Sequence, residues 1–484
     1  MRFDDVLTIL NDVPDYQVFL TVDELKASTH QLANAYPNAV EILPIGHSRQ
    51  GDPIEAIKIG DGPRQALLFA MPHPDEPIGS MMLEYLSLQL AEDDVLRESL
   101  GYTWYLIKCI DPDGTRLNEG WFKGPFSIKN LARHYYRPPA YQQVAWTFPI
   151  DYKTLHFHDP MPETQALMAL IEQVRPDFMY SLHNSGFGGV YFYIWEEAPP
   201  LYEPFHKLVE SQGLPLHLGE SEMPYEVEYA SAIYKDSSIT AEYDYLEEQT
   251  DTDPAEIITG GTLSFEYARA FCDPFTLICE MPYFYHPAIN DTSASDMVRR
   301  DAILQAIEET REDVNFLEEL YDTVKSELTV VSPFRDAIEE TLRTALAELA
   351  AEESWARTDP RTAEMATVAE KFDSLVIHRS DRLFGLGMFV RMLDAQTLCP
   401  WALYLDHTGL SAKGPGVAAT GESPSLSSAR EAARAAFEER AADLEAELDY
   451  TVIPIQKLVR VQLGSALLAA DYAAGRQARR QAAE

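Results

Sequence analysis

Four short, largely apolar runs constrain this chain more than any other feature: Ala66–Met71, Thr103–Ile110, Phe178–Leu182 and Phe275–Cys279. Strands apolar on both sides face water on neither, so they belong in a sheet covered on both faces. The segments between them carry a helical period. Pro77 to Leu90 sets Ile78, Met81, Met82, Tyr85 and Leu88 on one side. Pro162 to Arg175 opens with Pro and Glu and carries Ala166, Leu167, Leu170, Ile171 and Val174 as its apolar stripe. Strands alternating with helices predict an α/β fold: a mixed, mostly parallel twisted sheet flanked by helices.

The pattern changes near Asn290. Asp296–Lys325 reads as one amphipathic helix, and Glu431–Tyr450 and Ile455–Ala483 read as further helices. Pro333, Pro360, Pro400 and the Gly/Ser/Pro-rich stretch Gly414–Ser428 punctuate the region. A chain of 484 residues is long for one domain. The reading is a catalytic domain over 1–325 and a mainly helical C-terminal domain over 326–484. The Ala/Glu-rich helical faces serve either as packing surface or as a contact for a second copy, which makes homo-oligomerisation a candidate.

With 78 acidic and 38 basic residues the formal net charge is -40, which repels phosphate backbones and anionic lipid, so neither nucleic acid nor a membrane surface is an expected partner. No stretch approaches the roughly 20 apolar residues of a spanning helix. No basic start precedes an apolar run, so no secretory signal is expected. Four scattered cysteines, Cys109, Cys272, Cys279 and Cys399, do not suggest a disulfide framework. These points predict a cytoplasmic protein.

The sharpest local feature is Met71-Pro72-His73-Pro74-Asp75-Glu76-Pro77-Ile78-Gly79, between a predicted strand and a predicted helix. A His and a Glu three apart can address one metal when the turn between them is tight, and the prolines stiffen that turn. Catalytic zinc takes three protein ligands of N and O type and keeps a position for water. His183 supplies the third, since it ends Phe178–Leu182 and precedes the Gly-rich Asn184–Gly189. Glu280 ends Phe275–Cys279 in the same way and is the candidate general base. Each piece alone has an ordinary structural explanation.

Taken in order, the pieces resemble the zinc carboxypeptidases, the carboxypeptidase A-like group, from about Thr21 to about Tyr321. The matching segments are His73–Gly79, Asp111-Pro112-Asp113-Gly114, Ser181-Leu182-His183-Asn184 and Thr276–Glu280, with Ile45–Ile54 resembling an upstream motif of the family. The resemblance implies an eight-stranded mixed sheet, one zinc ion held by His73, Glu76 and His183, and Glu280 as the residue that takes the proton of the attacking water.

The chain departs from that family where the substrate's terminal carboxylate would be read. The matching stretch is Gln143-Val144-Ala145-Trp146-Thr147-Phe148-Pro149, with Ala145 and Trp146 in place of the family's Asn and Arg. Neither does charged work. Gln143 could accept a hydrogen bond from a ligand histidine. Arg116, Lys129, Arg133 and Arg137 are candidate replacement cations, each with a surface role as the commoner explanation. Gly260-Gly261-Thr262-Leu263 resembles the family's pocket segment, which makes Leu263 a candidate pocket residue. The family's substrate-capping Tyr has no match. Its position falls near Glu256, with Tyr267, Tyr243 and Tyr245 as neighbouring alternatives better explained by packing. The expected function is zinc-dependent hydrolysis of a peptide or peptide-like amide. The rivals are a zinc amidohydrolase or deacylase acting on a small acylated substrate, and a non-catalytic binding protein.

Overall fold

The computed structural model describes residues 1–236, 238–396 and 423–483. Cys399, Pro400 and most of the Gly414–Ser428 stretch lie outside the described residues. Nine strands form the main sheet: β1 (Val40–His47), β2 (Pro53–Ile59), β3 (Arg64–Ala70), β4 (Tyr102–Ile107), β5 (Phe178–Leu182), β6 (Tyr191–Ile194), β7 (Glu228–Ala230), β8 (Ile233–Lys235) and β9 (Phe275–Glu280). Their order is β1-β2-β4-β3-β5-β9-β6-β8-β7. The expected eight strands become nine through the three-residue edge strand β7, which lies antiparallel to β8. The second predicted run, Thr103–Ile110, ends early. β4 stops at Ile107, and Lys108 is buried in an ion pair with Glu84 (Nζ–Oε2 2.6 Å).

The central strands β4, β3, β5 and β9 run parallel. Alternate residues face opposite sides. Leu68, Ala70, Tyr180, Leu182, Leu277 and Cys279 join one buried apolar cluster, and Leu67, Phe69, Met179 and Ile278 join another. Both faces are therefore covered, as the uninterrupted apolar runs require.

The helices used below are α1 (Phe3–Asn11), α2 (Val22–Ala35), α3 (Ile78–Glu92), α4 (Pro112–Phe122), α5 (Pro162–Val174), α6 (Pro199–Ser211), α7 (Ile239–Gln249), α8 (Arg299–Val324), α9 (Pro333–Thr358), α10 (His378–Ala395), α11 (Pro424–Glu447) and α12 (Ile455–Ala483). Their starts follow ordinary capping chemistry. Asp111 caps α4 by accepting from the Gly114 amide, with Pro112 at the first position. α3 lies so close to β5 that a Cβ on Gly79 would sit 2.5 Å from the Leu182 Cβ. An alanine there would cost about 1–3 kcal/mol.

α5 covers the second face through Leu167, Leu170 and Ile171. The first face is covered by α3 together with α12, which packs against α1, α3, α6, β5 and β9. Leu458, Val459, Leu463 and Leu467 of α12 share one buried cluster with Leu68 and Leu182. The last helix is thus part of the core of the strand-bearing region. α8, α9, α10 and α11 pack on one another. No described helix is long and apolar enough to cross a membrane.

Candidate metal centre

Leu182 of β5 pairs with Ala70 of β3 on one side and Cys279 of β9 on the other. All three strands run parallel, so the residues that follow those positions emerge at one edge of the sheet. They are the turn carrying His73 and Glu76, then His183, then Glu280. Open α/β sheets place their sites at this carboxyl edge.

The predicted donors meet there. His73 Nδ1 lies 2.9 Å from Glu76 Oε1, His183 Nδ1 lies 3.1 Å from Glu76 Oε2, and the two Nδ1 atoms are 3.2 Å apart. All three residues are buried, with donor atoms within 4.8 Å of one another. The set fits zinc on its chemistry: two imidazoles and a carboxylate, with both Nδ1 atoms turned toward one centre. Arg137 Nη2 lies 2.7 Å from His73 Nδ1. A guanidinium only donates, so His73 Nδ1 accepts from it, which puts the ring proton on Nε2 and makes Nδ1 the nitrogen that can ligate. Burial, with Arg137 adding to it, pushes the His73 imidazolium down to about 3, which keeps the ring neutral. Burial would raise the Glu76 carboxyl, but the two imidazoles and their hydrogen bonds hold it well below the usual carboxylate range.

The surroundings orient the donors. Ser181 Oγ bonds His183 Nε2 at 2.8 Å, and the Asn184 amide donates to Glu76 Oε2 at 3.1 Å. Asn184 Oδ1 accepts from the Ile78 amide and from the Tyr283 hydroxyl, which also donates to the Asp75 carbonyl oxygen. Asp111-Pro112-Asp113 and the upstream Ser48-Arg49-Gln50 form one unit. Asp113 accepts from Ser48 Oγ and the Gln50 amide, both at 2.9 Å, and Arg49 lies 3.5 Å from Asp111.

Glu280 Oε1 is 4.0 Å from His183 Nδ1. Burial first, then the charges of Glu222 and Glu76, push its carboxyl well above the usual range, and Arg137 opposes them. These residues open onto a cavity of about 820 Å³.

Of the candidate substrate cations, Arg137 reaches the site. Its guanidinium contacts Glu76 at 3.0 Å and Asp75 at 3.6 Å. Arg116 instead pairs with Asp23 and Asp52, and Arg133 pairs with Glu438 of α11. Both are drawn away by nearer carboxylates, and neither lines the cavity. Leu263 lines it, as do Gln143, Ala145 and Trp146. The backbone bridge between Phe148 and Thr262 sets the departing stretch beside the pocket segment. Gln143 does not hold a ligand histidine. Its Nε2 donates to the Pro138 carbonyl at 2.7 Å, while its Oε1 and His73 Nε2 have no partner among the described residues. Tyr267 is also displaced, packed at a tilt against Phe148 with its hydroxyl on Glu172, and it does not line the cavity. Tyr243 and Tyr245 belong to apolar clusters instead.

Two groups of lining residues went unnoticed in the sequence. One is the wall of Tyr191, Tyr193, Tyr234, Glu222, Glu226 and Asp236. The period-two spacing of Tyr191 and Tyr193 was the available signal. The other is a roof from beyond residue 326, with Glu340, Thr344 and Glu348 of α9 and His378, Asp381 and Phe384 of α10. No local motif marks it.

This sheet carries His-x-x-Glu, His and Glu at its carboxyl edge, the layout of a three-donor metal centre with an acidic neighbour. The sequence profile of the zinc carboxypeptidases matches residues 25–285, more than half of the chain, and the chain belongs to that family. Zinc carboxypeptidase A 1 of Anopheles gambiae is 30% identical over an alignment of 126 residues that covers 23% of this chain and 29% of that protein. The match spans less than a third of that relative's length. The carboxypeptidase A structure from Helicoverpa armigera superposes over 74% of this chain and 80% of its own, at 14% identity and a TM-score of 0.37. A metallo-carboxypeptidase structure from Burkholderia cenocepacia covers 56% of this chain and 61% of its own, at 15% identity and a TM-score of 0.30.

Proposed function

We propose that this chain hydrolyses a peptide or peptide-like amide with one zinc ion held by His73, Glu76 and His183. The carrying observation is the convergence of two Nδ1 atoms and a carboxylate beside Glu280 at one sheet edge. Bound zinc activates a water and polarises the scissile carbonyl. Glu280 takes the water's proton and delivers it to the leaving nitrogen, a task suited to a carboxyl whose proton affinity burial raises above the usual range. Arg137 places its guanidinium where negative charge develops on the carbonyl oxygen. The buried walls exclude bulk water from that charge.

One observation favours the amidohydrolase form of this reading. Among the described residues lining the cavity, Arg137 is the single arginine and there is no lysine. Ala145 and Trp146 leave a terminal carboxylate without a dedicated second clamp. Metal content and a Glu280→Gln variant test the proposal together. The purified chain should hold about one zinc per molecule. The variant should retain zinc while turnover falls by about a thousandfold. A chain that binds no zinc and ignores chelators would sink the assignment.

A further inference from the structure

The segments around the metal centre are gripped by a helix from beyond the family-matched span. α10 turns His378, Asp381, Gly385 and Met388 to the cavity, at the spacing of one helical face. The adjoining flank fastens the helix. Phe384 stacks on Tyr135, with ring centroids 4.7 Å apart and planes 19° from parallel. Met388 Sδ accepts from the Arg137 amide at 3.4 Å, and Arg391 donates to the main-chain oxygens of His134 (2.7 Å) and Tyr135 (2.9 Å). A Cβ on Gly387 would lie 2.0 Å from the Ala132 oxygen, so helix and main chain are in direct contact there.

The two glycines in Gly385-Leu386-Gly387 have different explanations. That close contact requires Gly387. Gly385 lines the cavity, and a Cβ added to it would meet nothing within 4 Å. Glycine weakens a helix interior, and no neighbour demands it here, so it keeps space open beside the metal centre. Phe384 closes the way beyond that space. A Cβ on Gly186, three residues after His183, would lie 3.2 Å from the Phe384 ring. The main chain at that point is also occupied. The Gly186 oxygen accepts from the Tyr283 amide, and the Gly188 amide donates to the Phe284 oxygen, both at 3.0 Å. An extended polypeptide is held by unpaired groups of a strand edge, and these two are already paired. At about 820 Å³ the cavity has the size of a small-ligand site and, if equant, is about 9 Å across, enough for about three extended residues.

We propose that α10 sets a length limit: the substrate is a small peptide-like amide taken whole into the cavity, and Phe384 ends the path past Gly186. The leaving part lies beside Leu263 of the pocket segment. The acyl part points toward 185–187 and uses the space that Gly385 leaves. Long peptides and the ends of protein chains do not reach the metal centre. This limit rests on the hydrolase reading above and names the size class of its substrate.

The test uses the full zinc-loaded chain with acetyl-alanyl-phenylalanine, as free acid and as amide, and with the same unit extended on its amino side by a flexible Gly-Ser tail of about ten residues. The wild type should favour the short form by about thirtyfold or more in kcat/KM. Phe384→Ala should cut that preference by about tenfold by admitting the extended form. Gly385→Leu should raise KM for the short form by about tenfold, because the side chain fills the substrate's space. Leucine also suits a helix interior, so this variant stays informative if Phe384→Ala folds poorly. Equal cleavage of the two forms by the wild type overturns the length limit and leaves the hydrolase reading intact. So does a preference unmoved in Phe384→Ala together with a KM unmoved in Gly385→Leu. Calorimetry with N-acetyl-alanine hydroxamate, and with the same hydroxamate carrying the Gly-Ser tail in place of the acetyl group, reads access without turnover. Binding of the short probe alone supports the limit even in a chain that cleaves nothing, and equal binding of both overturns it. If neither probe binds, the hydrolase reading falls and the limit falls with it.

Discussion

Gln462, in the middle of α12, donates its Nε2 to the main-chain oxygen of His183 across 2.8 Å in a fully buried contact. The donor stands about 280 residues beyond the acceptor and well outside the span matched by the family. The neighbouring Tyr180 hydroxyl reaches Ser465 of the same helix at 3.1 Å. The last helix therefore fixes the strand end that aims His183. Gln462→Leu keeps the volume and removes the donor. It should weaken zinc binding by about tenfold, the usual effect of losing an outer support of a ligand. It should also lower stability by about 1 kcal/mol, because Asn184 Nδ2 still donates to the same oxygen. Chelator competition measures the first and urea unfolding the second. Wild-type zinc affinity would show that the helix packs without positioning.

The three arginine candidates should separate in kinetics. Arg137→Ala removes the guanidinium that faces Glu76 and the reacting carbonyl, and kcat/KM should fall by about a hundredfold or more. Arg116→Ala and Arg133→Ala break exposed ion pairs and should stay within about threefold of wild type. Steady-state assays of the three single variants decide it. A large loss in Arg116→Ala or Arg133→Ala would move the substrate cation away from Arg137.

The reach of the sequence ends where local chemistry ends. His73, Glu76, His183 and Glu280 were legible because each sits at the end of an apolar run, and parallel strands gather such ends at one edge. Their pairing through Leu182 needs only the strand order. Arg137 could not be told from Arg116 in α4 and Arg133 in a short helix, because no local motif states which carboxylate each guanidinium will meet. Glu222 and Glu226 lie in the non-periodic link between α6 and β7. The roof was out of reach for another reason. α9 and α10 return to the site from a distant part of the chain, and an amphipathic helix does not state which surface its stripe will cover.

Glu340 fastens that roof. From α9 it accepts from the Ala140 amide at 2.8 Å and from the Thr259 hydroxyl, joining the helix to the residues just before the departing stretch and just before the pocket segment. Glu340→Ala should leave two donors without their acceptor and loosen the cavity wall by about 1–3 kcal/mol. KM should rise more than kcat falls, since Glu340 is remote from the reacting atoms. Hydrogen exchange should quicken around 138–146 and 257–263. Unchanged exchange there would show that α9 is held by other contacts.

Asp236 gives a pH-dependent signature that needs no substrate. Burial first, then the charge of Glu266, push its carboxyl from 3.8 up to about 8. Between those values the unfolded chain has released the proton and the native chain still holds it. The native state binds more protons across that window, so this residue makes stability fall as pH rises through it. Asparagine cannot ionise and removes the contribution. Asp236→Asn should match wild type near about pH 4 and gain on it steadily, by on the order of a few kcal/mol above about pH 8. Urea unfolding of both chains at about pH 4.5 and about pH 8.5 measures the difference. A gap of the same size at both pH values would mean that the ionisation of Asp236 does not differ between the native and unfolded chains.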